Sequence, residues 1–274
     1  MRLCHLVLVA VLAISLPVLA LDRPAKLDGK VKKMVDELVD RSDKKDAPGV
    51  DQVIGELKSE KASCVLLAEA FNAPDRPEHV QLDLARALVE LKCPDTRALA
   101  LKLLGNADLE NRGAFAVIFA MTRDKELTAA TIALAGSSRP FDKEMACEAL
   151  STLGDPAGIP ALVKATRDSF FSVRQKAAAA LATFPSPEGR EALCRLATAD
   201  SNVGVQQRAM ESLGTLADIQ SVPCLIEVLK GRPGAATIAA HAALQKVSGM
   251  DLGADASAWE QWWEKYKKDN KPRK

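Results

Sequence analysis

The second half of the chain repeats one pattern of apolar and polar positions about every 31 residues. An alanine-rich helical segment that ends at Leu150 returns with its last residue at Leu181, Leu213 and Leu244. An alanine stands four positions before each of these leucines, at Ala146, Ala177, Ala209 and Ala240. A small residue that recurs on one helical face predicts the close passage of a neighbouring helix. Steps of 31 residues from Leu150 toward the N-terminus give more degenerate copies, at Phe119, Leu88 and Leu57.

Each copy divides into two helices. In the copy around Leu150, residues 142–153 form a first helix and residues 157–166 a second. Gly154 and Pro156 separate them, because glycine adopts the left-handed C-cap conformation and proline cannot continue a helix. The apolar positions of the second helix have the spacing of one buried face: Ile159, Leu162, Val163 and Thr166. A helix pair of this size buries its apolar face only by stacking on its neighbours, so we expect an all-α solenoid of helical hairpins.

The run Ala-Leu-x-x-Leu-Gly-Asp-x-x-x-Ile-Pro-x-Leu at 149–162 resembles the short HEAT-like repeats of phycobilisome lyases, as does the run 172–178. This resemblance extends over residues 48–248 and implies a HEAT-like, or armadillo-like, fold. The chain departs from the pattern at Arg190 and Glu191, where an aliphatic residue and a proline are usual. This departure predicts a loosened helix start at that point.

The first residues have the layout of a secretory signal peptide. Arg2 precedes an uncharged run over residues 6–19, and the small residue Ala20 is followed by Asp22. A membrane anchor is the alternative, but the run is shorter than the roughly 20 residues that a spanning helix needs. We therefore expect cleavage after Ala20, a secreted or periplasmic product, and no stable membrane insertion after cleavage.

These features predict four segments. They are a signal peptide (1–20), an N-terminal capping helix and loop (21–47), about six to seven repeats (48–248) and a capping helix with a basic tail (249–274). Without Arg2, the 37 lysines and arginines fall to the number of aspartates and glutamates, which is 36. A mature net charge near zero argues against a protein that coats nucleic acid.

Five cysteines remain after cleavage, and no two have the Cys-x-x-Cys spacing of a redox or metal motif. They are Cys64, Cys93, Cys147, Cys194 and Cys224. An exported chain can oxidise some of them. Because each lies in an apolar helical pattern, however, we expect free, buried thiols that act as small hydrophobic side chains.

All three tryptophans and the only tyrosine lie close to the C-terminus, at Trp259, Trp262, Trp263 and Tyr266. Their spacing places the four rings on one face of a helix. Ser257 and Glu260 have the spacing of a capping box ahead of them. We expect this helix to cap the last repeat, with an aromatic ligand site as the alternative. The run 244–263 is similar to the ends of exported bacterial HEAT-repeat proteins, which also favours a cap.

The residues needed for catalysis or metal binding are scarce. Only His79 and His241 remain after cleavage, and His241 aligns with the core positions Cys147, Ala178 and Met210. The sequence contains no His-Glu dipeptide of the kind that holds iron in some HEAT-repeat enzymes, no nucleophile motif and no phosphate loop. We therefore expect no enzyme activity, no cofactor and no metal.

Three functions are compatible with this pattern: a protein-binding scaffold, a lyase-like accessory subunit that presents a ligand to an enzyme, and a nucleic-acid binder. Export and the balanced charge disfavour the third, and the lack of a nucleophile for chromophore attachment disfavours the second. For the scaffold, one position outside the apolar stripe of the second helix carries a charge in several copies: Lys102, Lys164, Arg195 and Glu227. We expect these four side chains to form a ridge that binds a protein or peptide, or else plain soluble surface.

Overall fold

The computed structural model describes residues 25–60, 63–231 and 234–270, with side chains from Gly29 onward. Within these ranges the chain forms 15 α-helices and no β-strand. The chain divides into two compact units, Met1–Thr96 and Arg97–Lys274. The predicted signal peptide lies outside the described residues.

The first unit contains four helices: α1 (Ala25–Asp43), α2 (Ala47–Leu57), α3 (Ser63–Phe71) and α4 (Glu78–Glu90). Helix α1 packs against the other three. The core between them includes Leu38, Leu57 and Leu84, all fully buried. Ser42 donates a hydrogen bond of 2.6 Å to Asp83, which fixes α1 against α4.

The second unit begins with α5. Only the first residue of this helix, Thr96, is assigned to the first unit. Its helices are α5 (Thr96–Gly105), α6 (Arg112–Ala120), α7 (Thr128–Ala135), α8 (Pro140–Leu153), α9 (Ile159–Ala165), α10 (Phe171–Leu181), α11 (Pro187–Ala199), α12 (Val203–Leu216), α13 (Val222–Leu229), α14 (Ala235–Ser248) and α15 (Ala256–Asp269). Short 3₁₀ turns precede α7, α9 and α13, at Lys125–Leu127, Pro156–Gly158 and Ile219–Ser221.

Ten of these helices form two layers. In the first, here layer A, α6, α8, α10, α12 and α14 each pack on the next. In the second, layer B, the same holds for α7, α9, α11, α13 and α15. The predicted hairpins are therefore present, with the first helix of each in layer A and the second in layer B.

The repeated alanines and leucines are core residues of the layer A helices α8, α10, α12 and α14. All eight side chains are fully buried: Ala146, Ala177, Ala209, Ala240, Leu150, Leu181, Leu213 and Leu244. The more degenerate positions Leu57 and Phe119 are fully buried as well, and Leu88 is 3% exposed. The repeat register read from the sequence is confirmed at each of these positions.

The helix boundaries follow from capping. Gly154 ends α8 with a φ of +67°, and Asp155 accepts a hydrogen bond from the backbone N–H of Ala157 at the next turn. Ala217 stands at the position equivalent to Gly154 and has a φ of +50°. Left-handed backbone of this kind is strained for alanine and not for glycine.

The expectation of a loosened helix start at Arg190 is wrong. Helix α11 begins earlier in its repeat, at Pro187, and is a regular helix of 13 residues without a 3₁₀ turn. Ser186 caps it by accepting a hydrogen bond from the backbone N–H of Gly189. Arg190 is therefore an interior residue of α11, and its guanidinium forms an ion pair of 2.7 Å with Asp218 in the following repeat.

His241 is also not the core residue that its alignment predicts. Its side chain is 25% exposed and lies 2.9 Å from Asp251, whereas the equivalent Cys147, Ala178 and Met210 are fully buried. A following helix of layer A packs on α8, α10 and α12, which carry the earlier positions. After α14 the chain instead turns into a connector that leads to α15 in layer B.

A carboxyl side chain is fully buried in the second unit. Asp142, on α8, accepts hydrogen bonds through Oδ2 from Ser137, Arg112 and Arg139, at 2.8–3.0 Å. Burial opposes its ionisation, but these three hydrogen bonds outweigh burial and hold the pKa of Asp142 below its ordinary value. Its other oxygen, Oδ1, has no hydrogen-bond partner among the described residues.

Candidate functional site

Three of the four predicted ridge residues lie on successive helices of layer B. Lys164 is on α9, Arg195 on α11 and Glu227 on α13, and each of these helices packs on the next. Lys102 lies on α5, which is not one of the layer's successively packed helices. Its side chain is partly buried, and burial lowers the pKa of its ammonium group.

Arg195 is the most constrained cation of this group. Its Nη2 donates a hydrogen bond of 2.9 Å to Oγ1 of Thr166, which is itself 2% exposed. Burial lowers the pKa of Arg195, and the positive charge of Arg167 lowers it further. Arg195 forms no ion pair with any residue that the structure describes.

Arg167, which we did not predict as a site residue, therefore belongs to this cluster. It lies just beyond the C-terminal end of α9, three residues after Lys164. Both side chains are exposed and without an ion pair in the described part of the chain. The i, i+3 spacing of two basic residues at a helix C-terminus was the sequence signal that would have identified Arg167.

Glu227 has a different environment. It is exposed and forms an ion pair of 3.1 Å with Lys230. Lys230 also pairs with Glu260 of α15, at 2.9 Å. Glu227 therefore shares its cationic neighbour with Glu260, and the predicted ridge changes sign between α11 and α13. We call Lys164, Arg167 and Arg195 the basic cluster.

A disulfide lies beside the basic cluster. Cys194, the residue before Arg195, is bonded to Cys224 of α13 across 30 residues of sequence. In the first unit, Cys64 of α3 is bonded to Cys93 in the turn after α4. The expectation of free thiols is wrong for these four cysteines. It holds for Cys147, whose thiol is fully buried and has a pKa raised by burial to about 12.

The tryptophan helix α15 packs on α13 at the end of layer B. Trp259 is fully buried, and its indole N–H donates a hydrogen bond of 2.8 Å to the carbonyl oxygen of Gly253. Trp262, Trp263 and Tyr266 are partly buried, and the Tyr266 ring stacks on both tryptophans at centroid distances of 5.3 and 5.5 Å. The helix is capped by Asp255, which accepts from the backbone N–H of Ser257, so the predicted capping box is wrong.

The described residues contain no group of three or more His, Cys, Asp or Glu side chains placed to hold a metal ion. The same part of the chain has no helix with both the length and the apolar character needed to cross a membrane.

Residues 159–245 match the family model for HEAT repeats. These residues run from α9 to α14 and include the basic cluster. Residues 159–245 therefore consist of HEAT repeats, as the repeat pattern predicted. No curated protein matches its sequence.

Solved structures with a similar fold include the Escherichia coli protein YibA, which is 19% identical with a TM-score of 0.56 over 89% of this chain and 98% of YibA. An engineered protein is 21% identical with a TM-score of 0.52, over 85% of this chain and 73% of that protein. The complex of CpcE and CpcF of phycocyanin lyase from Nostoc sp. PCC7120 is 18% identical with a TM-score of 0.45, over 92% of this chain and 99% of that one. At this identity, YibA and the engineered protein establish the fold alone, an α-solenoid.

Proposed function

We propose that this protein is a non-catalytic scaffold that binds an acidic segment of a protein partner through layer B. The observation that carries the proposal is the basic cluster, in which Arg195 is partly desolvated and close to Arg167, and neither arginine has an ion pair among the described residues. Two guanidinium groups in this arrangement repel each other. Carboxylates of a partner would relieve that repulsion and form charge-assisted hydrogen bonds with both arginines.

The cluster is also held in place before any partner arrives. The hydrogen bond from Arg195 to Thr166 fixes one side of the guanidinium, and its remaining donors stay available. The disulfide between Cys194 and Cys224 holds α11 against α13 directly beside it. Preorganisation of this kind favours affinity, because fewer side chains lose freedom on binding.

We place this scaffold in an exported compartment. The two disulfides fit an oxidising environment, and proteins of the cytosol rarely keep such bonds. Residues 1–20 have the layout of a signal peptide. N-terminal sequencing of the protein from the periplasmic or culture fraction tests the location, with Leu21 as the expected first residue.

The binding face is tested with a partner captured from the native exported fraction. Arg195→Glu combined with Lys164→Glu should weaken that partner's affinity at least about tenfold, with the helical circular-dichroism signal unchanged. Lys176→Glu combined with Arg208→Glu makes the same two charge reversals on layer A and is the matched control, with affinity expected to stay at the wild-type level. The wild-type affinity should also fall as salt rises. Full affinity in the double variant would show that the partner binds to another face of the protein.

A further inference from the structure

The outward face of layer A changes character in its last helix. On α14 four positions carry apolar side chains: Ala235, Ile238, Ala239 and Ala242. The equivalent positions of α12 are Gly204, Gln207, Arg208 and Glu211, and those of α10 are Ser172, Gln175, Lys176 and Ala179. The preceding helices thus face solvent with mostly polar groups, and α14 does not. Ile238 is 72% exposed, more than any other large hydrophobic residue in the described part of the chain.

A groove of about 330 Å³ runs beside Ile238, between α12 and α14. Small residues form its floor, because the two helices approach closely at Gly214. A Cβ atom at Gly214 would lie 3.3 Å from the Cα of Ala243, so a larger residue there would push the helices apart. The same face therefore has a protruding aliphatic side chain and a recess lined by Gly214, Ala239, Ala242 and Ala243.

We propose that this face binds a second copy of the chain, with the two α14 helices antiparallel across a two-fold axis. An interface with two-fold symmetry uses the same surface on both copies, so that surface must be complementary to itself. A face that presents both a knob and a recess satisfies this condition, since Ile238 of each copy can enter the groove of the other.

The charges at the edge of the groove agree with self-association. Glu211 and Lys246 line it with opposite charges, and Gln207 adds a neutral polar group. An edge with charges of one sign would repel its own copy, whereas this mixed edge does not. Each copy contributes essentially one helical face, which is small for a protein interface, so we expect a weak dimer with a dissociation constant in the micromolar range.

Sedimentation velocity of the mature chain, from about 1 to about 100 μM, measures this association directly. The wild type should shift toward a dimer as its concentration rises. Ile238→Lys should weaken the association at least tenfold, because it brings two ammonium groups into an apolar contact, and Ala242→Glu should act in the same way. Both positions are exposed, so circular dichroism and the melting temperature should stay at the wild-type values.

Gln175→Lys is the matched control, since it introduces the same charge at the equivalent position of α10. It should associate as the wild type does. A wild-type chain that stays monomeric throughout this range would overturn the proposal. So would a dimer that Ile238→Lys leaves intact, because the interface would then lie elsewhere.

Discussion

His241 and Asp251 close the end of layer A, with Nε2 of the histidine 2.9 Å from Oδ1 of the aspartate. Asp251 also accepts a hydrogen bond from the backbone N–H of Gly253, and this bond, followed by the contact with His241, holds the pKa of Asp251 below its ordinary value. The connector between α14 and α15 is thereby fixed against the flank of α14. The polar pair of His241 and Asp251 thus replaces the buried core residue of the earlier repeats. This flank of α14 can therefore face water.

Asp142→Asn should destabilise the second unit by about 3 kcal/mol. The change removes the charge that Arg112 and Arg139 share, and loss of one member of a buried ion pair leaves the other without compensation. We expect a loss of stability at the lower end of the range for broken buried ion pairs, because both arginines remain partly exposed. Urea unfolding measures the difference, and Glu211→Gln, which breaks the exposed pair with Arg208, should change it by less than about 0.5 kcal/mol.

The effect of Asp142 should depend on pH in a defined direction. Because its pKa is depressed in the folded state, its contribution is complete above the ordinary aspartate pKa of about 3.9 and disappears as pH falls through the lower folded value. The difference between wild type and Asp142→Asn should therefore be constant from about pH 5 to 8 and shrink below about pH 4. A difference that grows on acidification would contradict this assignment.

Ala217→Gly should stabilise the protein by about 0.5–1 kcal/mol. Ala217 ends α12 with a φ of +50°, a conformation in which its Cβ is strained and glycine is not. The reverse change at the equivalent cap, Gly154→Ala, should cost about 1 kcal/mol, since its φ is +67° and no other atom lies near enough to clash. Thermal unfolding of both variants compares them, and two shifts of the same sign would show that φ is not the cause.

Loss of the bond between Cys194 and Cys224 should lower stability by about 3–4 kcal/mol, because the crosslink restricts a 30-residue loop in the unfolded chain. The double variant Cys194→Ala and Cys224→Ala tests this in urea under oxidising conditions. Its remaining sensitivity to reductant should come from Cys64 and Cys93. Peptide mapping of the unreduced wild type should recover both pairs, with Cys147 as a free thiol, and any other pairing would refute the arrangement.

Trp259→Ala should cost about 3–5 kcal/mol, as expected for a fully buried tryptophan. Trp263→Ala should cost less, below about 2 kcal/mol, because that ring is only partly buried. If α15 is a cap, amide hydrogen exchange in α13 should accelerate in the first variant more than in the second. Equal losses, or an unchanged α13, would favour the alternative of an aromatic ligand site.

The repeat register could be read from the sequence because the period is itself a sequence property. Leu181 and Leu213 are buried for the same reason as Leu150, and Ala177 is small for the same reason as Ala209. The register does not show whether another helix packs against a given position. It assigned His241 to the core, since it fixes the position on the helix and not the presence of another helix beyond it.

The disulfides were missed, although the sequence contains a signal for them. Their partners are 29 and 30 residues apart, close to one repeat, and residues one repeat apart face each other on neighbouring helices. Cys147 has no cysteine at that distance and stays free. The basic cluster was found only in part, because Arg167 lies beyond a helix end, where the repeat pattern stops constraining positions.

The bond between Cys194 and Cys224 also determines how the protein responds to tension. Stretched from its two ends, an uncrosslinked solenoid can be drawn out hairpin by hairpin to its full contour length. The 30-residue separation between these cysteines corresponds to about 100 Å of extended chain that a pulling force cannot reach until the sulfurs are reduced. The part of layer B that carries Arg195 is therefore shielded from mechanical unravelling, and a reductant sets the maximum extension of the molecule.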